Sequence, residues 1–123
     1  DEWIFTPDGI MVYDTKGDLW AEDYMGFNFE CILDSQLGGG LEAWGSGTHA
    51  FSVIPGNPVQ LAVSGLGAFI GLPKAANGAE VTNPQSNVTY EVINYEEQAS
   101  RYFMELQIDM GAGYWRFKLI SPK

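Results

Sequence analysis

The chain has 123 residues, 46% of them hydrophobic, with 16 acidic against 6 basic side chains and a formal charge of −10, which is the size of one domain. That charge excludes tracking of a nucleic-acid backbone and disfavours an anionic membrane surface, and no apolar run approaches the ~18 residues of a membrane-spanning helix. Four tryptophans, six tyrosines and seven phenylalanines argue against disorder, while one cysteine and one histidine exclude an internal disulfide and a multi-histidine zinc site.

Glu2 to Thr6 is β-prone, and Pro7-Asp8-Gly9 turns the chain into a second strand, Ile10 to Asp14. Thr15-Lys16-Gly17 is the next turn, followed by a third strand over Asp18 to Tyr24. Gly26 to Gly47 reads as a long glycine-rich loop with a strand at Phe29 to Leu33. Thr48 to Ile54 alternates, with Phe51 and Val53 on one face. Pro55-Gly56-Asn57-Pro58 turns into Val59 to Ser64, which directs Val59, Leu61 and Val63 inward. Gly65 to Gln85 is a second glycine-rich segment. The last three strands are Asn87 to Asn94, Arg101 to Met110 and Tyr114 to Ile120. Period-2 alternation dominates, and no window of ~11 residues carries a helical period. The pattern predicts an all-β domain over residues 1–123, an antiparallel β-sandwich of jelly-roll type.

No catalytic constellation stands out. Glu22-Asp23 and Glu96-Glu97 are adjacent pairs, and neighbours on a strand point to opposite faces, so neither suits the paired carboxylates of a glycosidase. His49 has no Ser or Cys partner in a nucleophile motif and reads as structural. Cys31, set among Phe29, Ile32 and Leu33, reads as a buried, inert thiol. The turn aspartates Asp8, Asp14, Asp18 and Asp23 offer oxygens suited to a structural calcium ion, but no D-x-D-x-D-G loop is present. No ligands are therefore assigned and no cofactor is expected. Gly65-Leu66-Gly67-Ala68-Phe69-Ile70-Gly71 lacks the flanking strand and helix of a phosphate loop and reads as turns.

The tryptophans divide. Trp3 and Trp115 share strand faces with Phe5 and Phe117 and belong to the core. Trp20 and Trp44 lie among acids and glycines. An aromatic ring in such a setting suits the C–H face of a pyranose, whose hydroxyls bond to polar side chains around it. Trp20, Tyr24 and Trp44 are the stacking candidates. Glu22, Asp23, Glu42, Lys74, Asn77, Glu80 and Arg116 are the hydrogen-bonding candidates.

Three stretches carry a resemblance: Asp1-Glu2-Trp3-Ile4-Phe5 with Asp8-Gly9, Ala68 to Val81 around Gly71-Leu72-Pro73-Lys74, and Gly113-Tyr114-Trp115-Arg116-Phe117-Lys118-Leu119. Together they resemble a module recurring in marine Bacteroidetes glycan-utilisation proteins, beside PKD domains, family 16 glycoside hydrolases and surface glycan-binding proteins. The resemblance implies non-catalytic glycan binding on an extracellular or outer-membrane surface, in a module excised from a larger multimodular protein. It also implies a segment before Asp1, missing or donated by a neighbour.

The expected partners are a polysaccharide and neighbouring modules of the same polypeptide, with no nucleic acid and no membrane insertion. The neighbouring hydrolases imply a β-glucan such as laminarin, a β-1,3-glucan, with an algal galactan as the alternative. The negative charge favours a neutral glucan over sulfated or uronic-acid glycans. A different class of function stays open, a structural or assembly module whose sheet edges pair with neighbours.

Overall fold

The computed structural model describes all 123 residues. Its strands are β1 (Glu2–Phe5), β2 (Ile10–Asp14), β3 (Asp18–Ala21), β4 (Glu30–Leu33), β5 (Gly47–Ile54), β6 (Val59–Ser64), β7 (Ala75–Ala76), β8 (Ala79–Glu80), β9 (Asn87–Glu97), β10 (Arg101–Asp109) and β11 (Tyr114–Pro122). Seven of them form one antiparallel sheet in the order β1-β2-β5-β6-β9-β10-β11, while β3–β4 and β7–β8 are separate two-stranded hairpins. The all-β, antiparallel expectation is met.

The two glycine-rich stretches hold more structure than their composition suggests. The third strand stops at Ala21, because Asp23–Met25 closes into a 3₁₀ turn that ends at Gly26 with φ 88°. Beyond β4, two further 3₁₀ turns, Asp34–Gln36 and Glu42–Trp44, carry the chain to β5. The second glycine-rich segment contains β7 and β8.

Strand alternation sorts the long sheet into a wet face and a concave dry one. Met11, Leu61, Val63, Val88, Tyr90, Leu106 and Ile108 form the main core with Ala68, Ile70 and Ala75 from the glycine-rich segment. Trp3, Phe5, Phe51, Trp115, Phe117 and Leu119 pack against it. A bulge lies opposite Glu105/Leu106, where Leu106 pairs with Val92 and Glu105 with Asn94. It lets Tyr95 resume the inward face opposite Met104.

The segment from Gly65 to Val81 fills one half of this concavity. The Ile70 amide donates to the Tyr90 hydroxyl at 2.7 Å, and the Trp3 indole N–H donates to the Phe69 carbonyl at 2.8 Å. The other half is open. Val59 faces inward as expected, yet it stays 37% exposed, and Val53 60%, because nothing covers that end.

A second core packs Tyr13, Leu19, Ala21, Met25, Ile32, Leu37, Leu41, Trp44 and Phe69 beneath the β3–β4 hairpin. Trp3 joins the two cores, stacked on Tyr13 at 4.9 Å between ring centroids.

Gly67 is where the covering segment touches the loop before β5. A Cβ there would lie 1.9 Å from the Ala43 carbonyl oxygen, at φ +84°. Gly67→Ala is expected to lower stability by about 3 kcal/mol, read as a reduced urea midpoint. Gly38→Ala, with nothing within 4 Å and no positive φ, is expected to stay within about 0.5 kcal/mol.

Candidate functional site

Two groups of side chains near the β3–β4 hairpin stand apart from ordinary core and surface. The first is an exposed apolar patch. Leu19 and Ala21 of β3 and Ile32 of β4 point into the second core, so the opposite face turns outward. Trp20 lies opposite Cys31 and is 46% exposed, while Phe29, just before β4, is 62% exposed. The two rings sit 6.5 Å apart, tilted by 45°. Leu33 and Asp18, paired across the hairpin, extend the same outward face, whereas Glu30 pairs with the inward-facing Ala21 and Asp23 lies in the 3₁₀ turn that follows. Large exposed aromatics in contact are a departure from ordinary surface, where apolar residues scatter singly.

The second group is charged and half-buried. Glu22 leaves β3 with its side chain turned inward, where Lys74 meets it at 2.8 Å. Glu80 of β8 approaches the same ammonium at 3.4 Å, and the Trp115 ring lies 5.6 Å from it. The hydrogen bond to Glu22 is the main reason the Lys74 ammonium is held above the usual lysine range. Tyr24 packs edge-on against Trp44 at 5.9 Å. Burial, then the negative charges of Glu22, Glu80 and Asp23, push its phenol above the ordinary tyrosine range. The Tyr24 hydroxyl and the Trp115 indole N–H are both buried without a protein partner.

The ten sequence candidates therefore separate. Glu22, Tyr24, Lys74 and Glu80 converge, and Trp115, expected only as core, joins them. Trp20 stands on the outward face of the neighbouring hairpin, and Asp23 is exposed in the 3₁₀ turn that follows it. Trp44 is corrected: only 1% of it is exposed, so no ring face is available to a sugar. The 3₁₀ turn Glu42–Trp44 swings Trp44 into the second core and leaves Glu42 in solvent.

Asn77 and Arg116 lie elsewhere. The Asn77 amide donates to the Thr89 carbonyl at 2.8 Å and accepts from the Thr89 N–H at 2.9 Å, which ties β7–β8 to β9. Arg116 donates to Gln107 at 2.8 Å on the convex face of β11.

Cys31 is also corrected: its thiol is exposed, because Ile32 rather than Cys31 takes the inward position of β4. Nothing in the sequence marks Phe29 as exposed, because Phe29-Glu30-Cys31-Ile32-Leu33 alternates ambiguously and only pairing with β3 decides which residues face out. His49 is half-buried beside Gly47 and Gly65, and desolvation lowers its pKa. No group of three or more His, Cys, Asp and Glu side chains is placed to hold a metal ion. Comparison with family models, with curated proteins and with solved structures found no match.

Removing one partner of the buried pair isolates its contribution. Lys74→Met leaves Glu22 without its cation and is expected to cost about 2 kcal/mol at pH 7, given that Lys74 keeps some solvent contact. A lysine pKa raised by folding stabilises below the unfolded value of ~10.4 and loses that contribution as pH rises through the folded value. The stability gap between wild type and Lys74→Met should therefore close at strongly alkaline pH, measured by urea unfolding across the pH range.

Proposed function

We propose that the protein is a non-catalytic carbohydrate-binding domain for a neutral glycan. The observation that carries this reading is the exposed Trp20–Phe29 pair, two tilted rings on the outward face that also carries Asp18. A pyranose lays its axial C–H groups on such rings. Asp18, on the same face, has a carboxylate that accepts hydrogen bonds and suits the donating hydroxyls of the same sugar. With a net charge of −10, a neutral β-glucan such as laminarin is favoured over sulfated galactans or alginate, which the protein's own field repels.

The rest of the reading follows from this platform. The domain tethers polysaccharide at the cell surface or beside an enzyme, and turnover is left to neighbouring modules. In architecture, the opposite walls of the curled sheet serve as the two layers of a flattened sandwich, its strands following one another in up-and-down order rather than in the Greek-key order of a jelly roll. A shallow single platform binds weakly, on the order of 1 mM to 1 μM, and repetition of the module would add avidity.

Isothermal titration against laminarin, agarose, porphyran and alginate tests the reading. Saturable binding to laminarin alone is expected. Trp20→Ala and Phe29→Ala should each weaken it at least about tenfold, a loss of ~1.4 kcal/mol, with unchanged melting temperature. Failure of all four glycans to bind the folded protein would refute it.

A further inference from the structure

The long sheet has two free edges, and they are turned toward one another. β1 and β11 end the strand order, and no backbone hydrogen bond joins them. Yet both line one groove of about 890 Å³, β1 with Glu2–Phe5 and β11 with Lys118–Pro122. Consecutive residues of a strand point to alternate faces. A groove lined by consecutive residues of both strands therefore runs along their backbone edges and not over one face. Alternate residues of an edge strand direct their N–H and C=O groups away from the sheet, so both walls carry unpaired donors and acceptors.

Strand direction says what fits. Every neighbouring pair in the sheet is antiparallel, so the first and seventh strands run the same way. An odd number of antiparallel strands cannot close on itself with antiparallel pairing. One added strand, opposite in direction to both edges, completes an eight-stranded antiparallel ring.

The floor and rim of the groove set its chemistry. Phe5, Met104 and Leu119 face inward, while Ile4 and Ile120 stand exposed on the outer rim at 44% and 61%. We propose that this seam docks one extended peptide strand from a partner polypeptide, running antiparallel to both β1 and β11. Its inward side chains are apolar. Its outward side chains are lysine or arginine, whose methylene stems cover Ile4 and Ile120 while their charges reach Asp1 and Glu2 on the β1 wall, away from Lys118 on the β11 wall, within a protein of net charge −10. The site is separate from the Trp20–Phe29 platform and needs no glycan.

Fluorescence titration with a synthetic eight-residue peptide alternating valine and lysine tests this, with hydrogen exchange read at β1 and β11. Saturable binding is expected, with new protection at the alternate amides that face the seam, Trp3 and Phe5 in β1 and Lys118 and Ile120 in β11. Two further peptides carry N-methyl groups on the odd or on the even residues, each removing the donors along one edge. Because the seam bonds both edges, each should bind at least about tenfold more weakly. An aspartate-for-lysine peptide should also bind more weakly, and laminarin should not compete.

The proposal is overturned if the valine–lysine peptide does not bind. It is equally overturned if only one N-methyl series weakens binding, which would indicate pairing to a single edge, or if protection falls on β3–β4. Protection of β1 and β11 without peptide, in a protein that sediments as a dimer, would assign the seam to a second copy and also overturn it.

Discussion

A seven-stranded sheet that curls has one face to dehydrate, and the segment Gly65–Val81 does most of that work. It has few side chains to spend. Ala68, Ile70 and Ala75 enter the main core, and the backbone itself approaches the sheet closely. At Gly71 a Cβ would fall 2.3 Å from the Phe117 ring, so the chain can pass there only without one. The buried Ile70 N–H would be costly without a partner, and the Tyr90 hydroxyl supplies it from the floor of the sheet. Tyr90 thus serves as core filler and as anchor, and its burial holds the phenol above the ordinary tyrosine range.

The covering segment also determines where charge enters the interior. Lys74 follows Pro73 and is carried across the concavity toward the inward-turned Glu22. A cation delivered to that depth needs carboxylates, and Glu22 and Glu80 arrive from different hairpins to meet it. A comparable device holds the second core to the sheet. Asp34 accepts from the Thr15 hydroxyl at 2.8 Å and the Ser46 hydroxyl at 2.6 Å, joining the β2–β3 turn, the 3₁₀ turn after β4 and the entry to β5. Such polar clusters specify arrangement more than they add stability.

Because the covering is partial, the molecule keeps two kinds of apolar surface. The Trp20–Phe29 patch is an exposed pair of rings on a small hairpin. The uncovered half of the concavity, with Val53, Val59, Tyr95 and Met104, runs through the shared Tyr95 and Met104 into the seam between β1 and β11. One surface offers ring faces and the other offers backbone edges, so they suit different chemistries.

Much of the long sheet was legible in the sequence, because a strand with one dry face writes a period of two into its residues. Ile10–Asp14 and Val59–Ser64 are read to the residue, and the inward sets of the last three strands follow Val88-Tyr90, Leu106-Ile108 and Trp115-Phe117-Leu119. The candidate site was legible only in part. Glu22, Tyr24, Lys74 and Glu80 could be selected as residue types, but their convergence over more than fifty positions of chain depends on how Gly65–Val81 crosses the sheet. Trp20 and Trp44 share an acidic, flexible-looking context, and only packing sends one outward and the other into the core. Alternation is a local signal, so it determined the strands and their faces. Which faces are covered, which charges meet and which edges stay unpaired are decisions made between segments distant in sequence, and only the tertiary structure contains them.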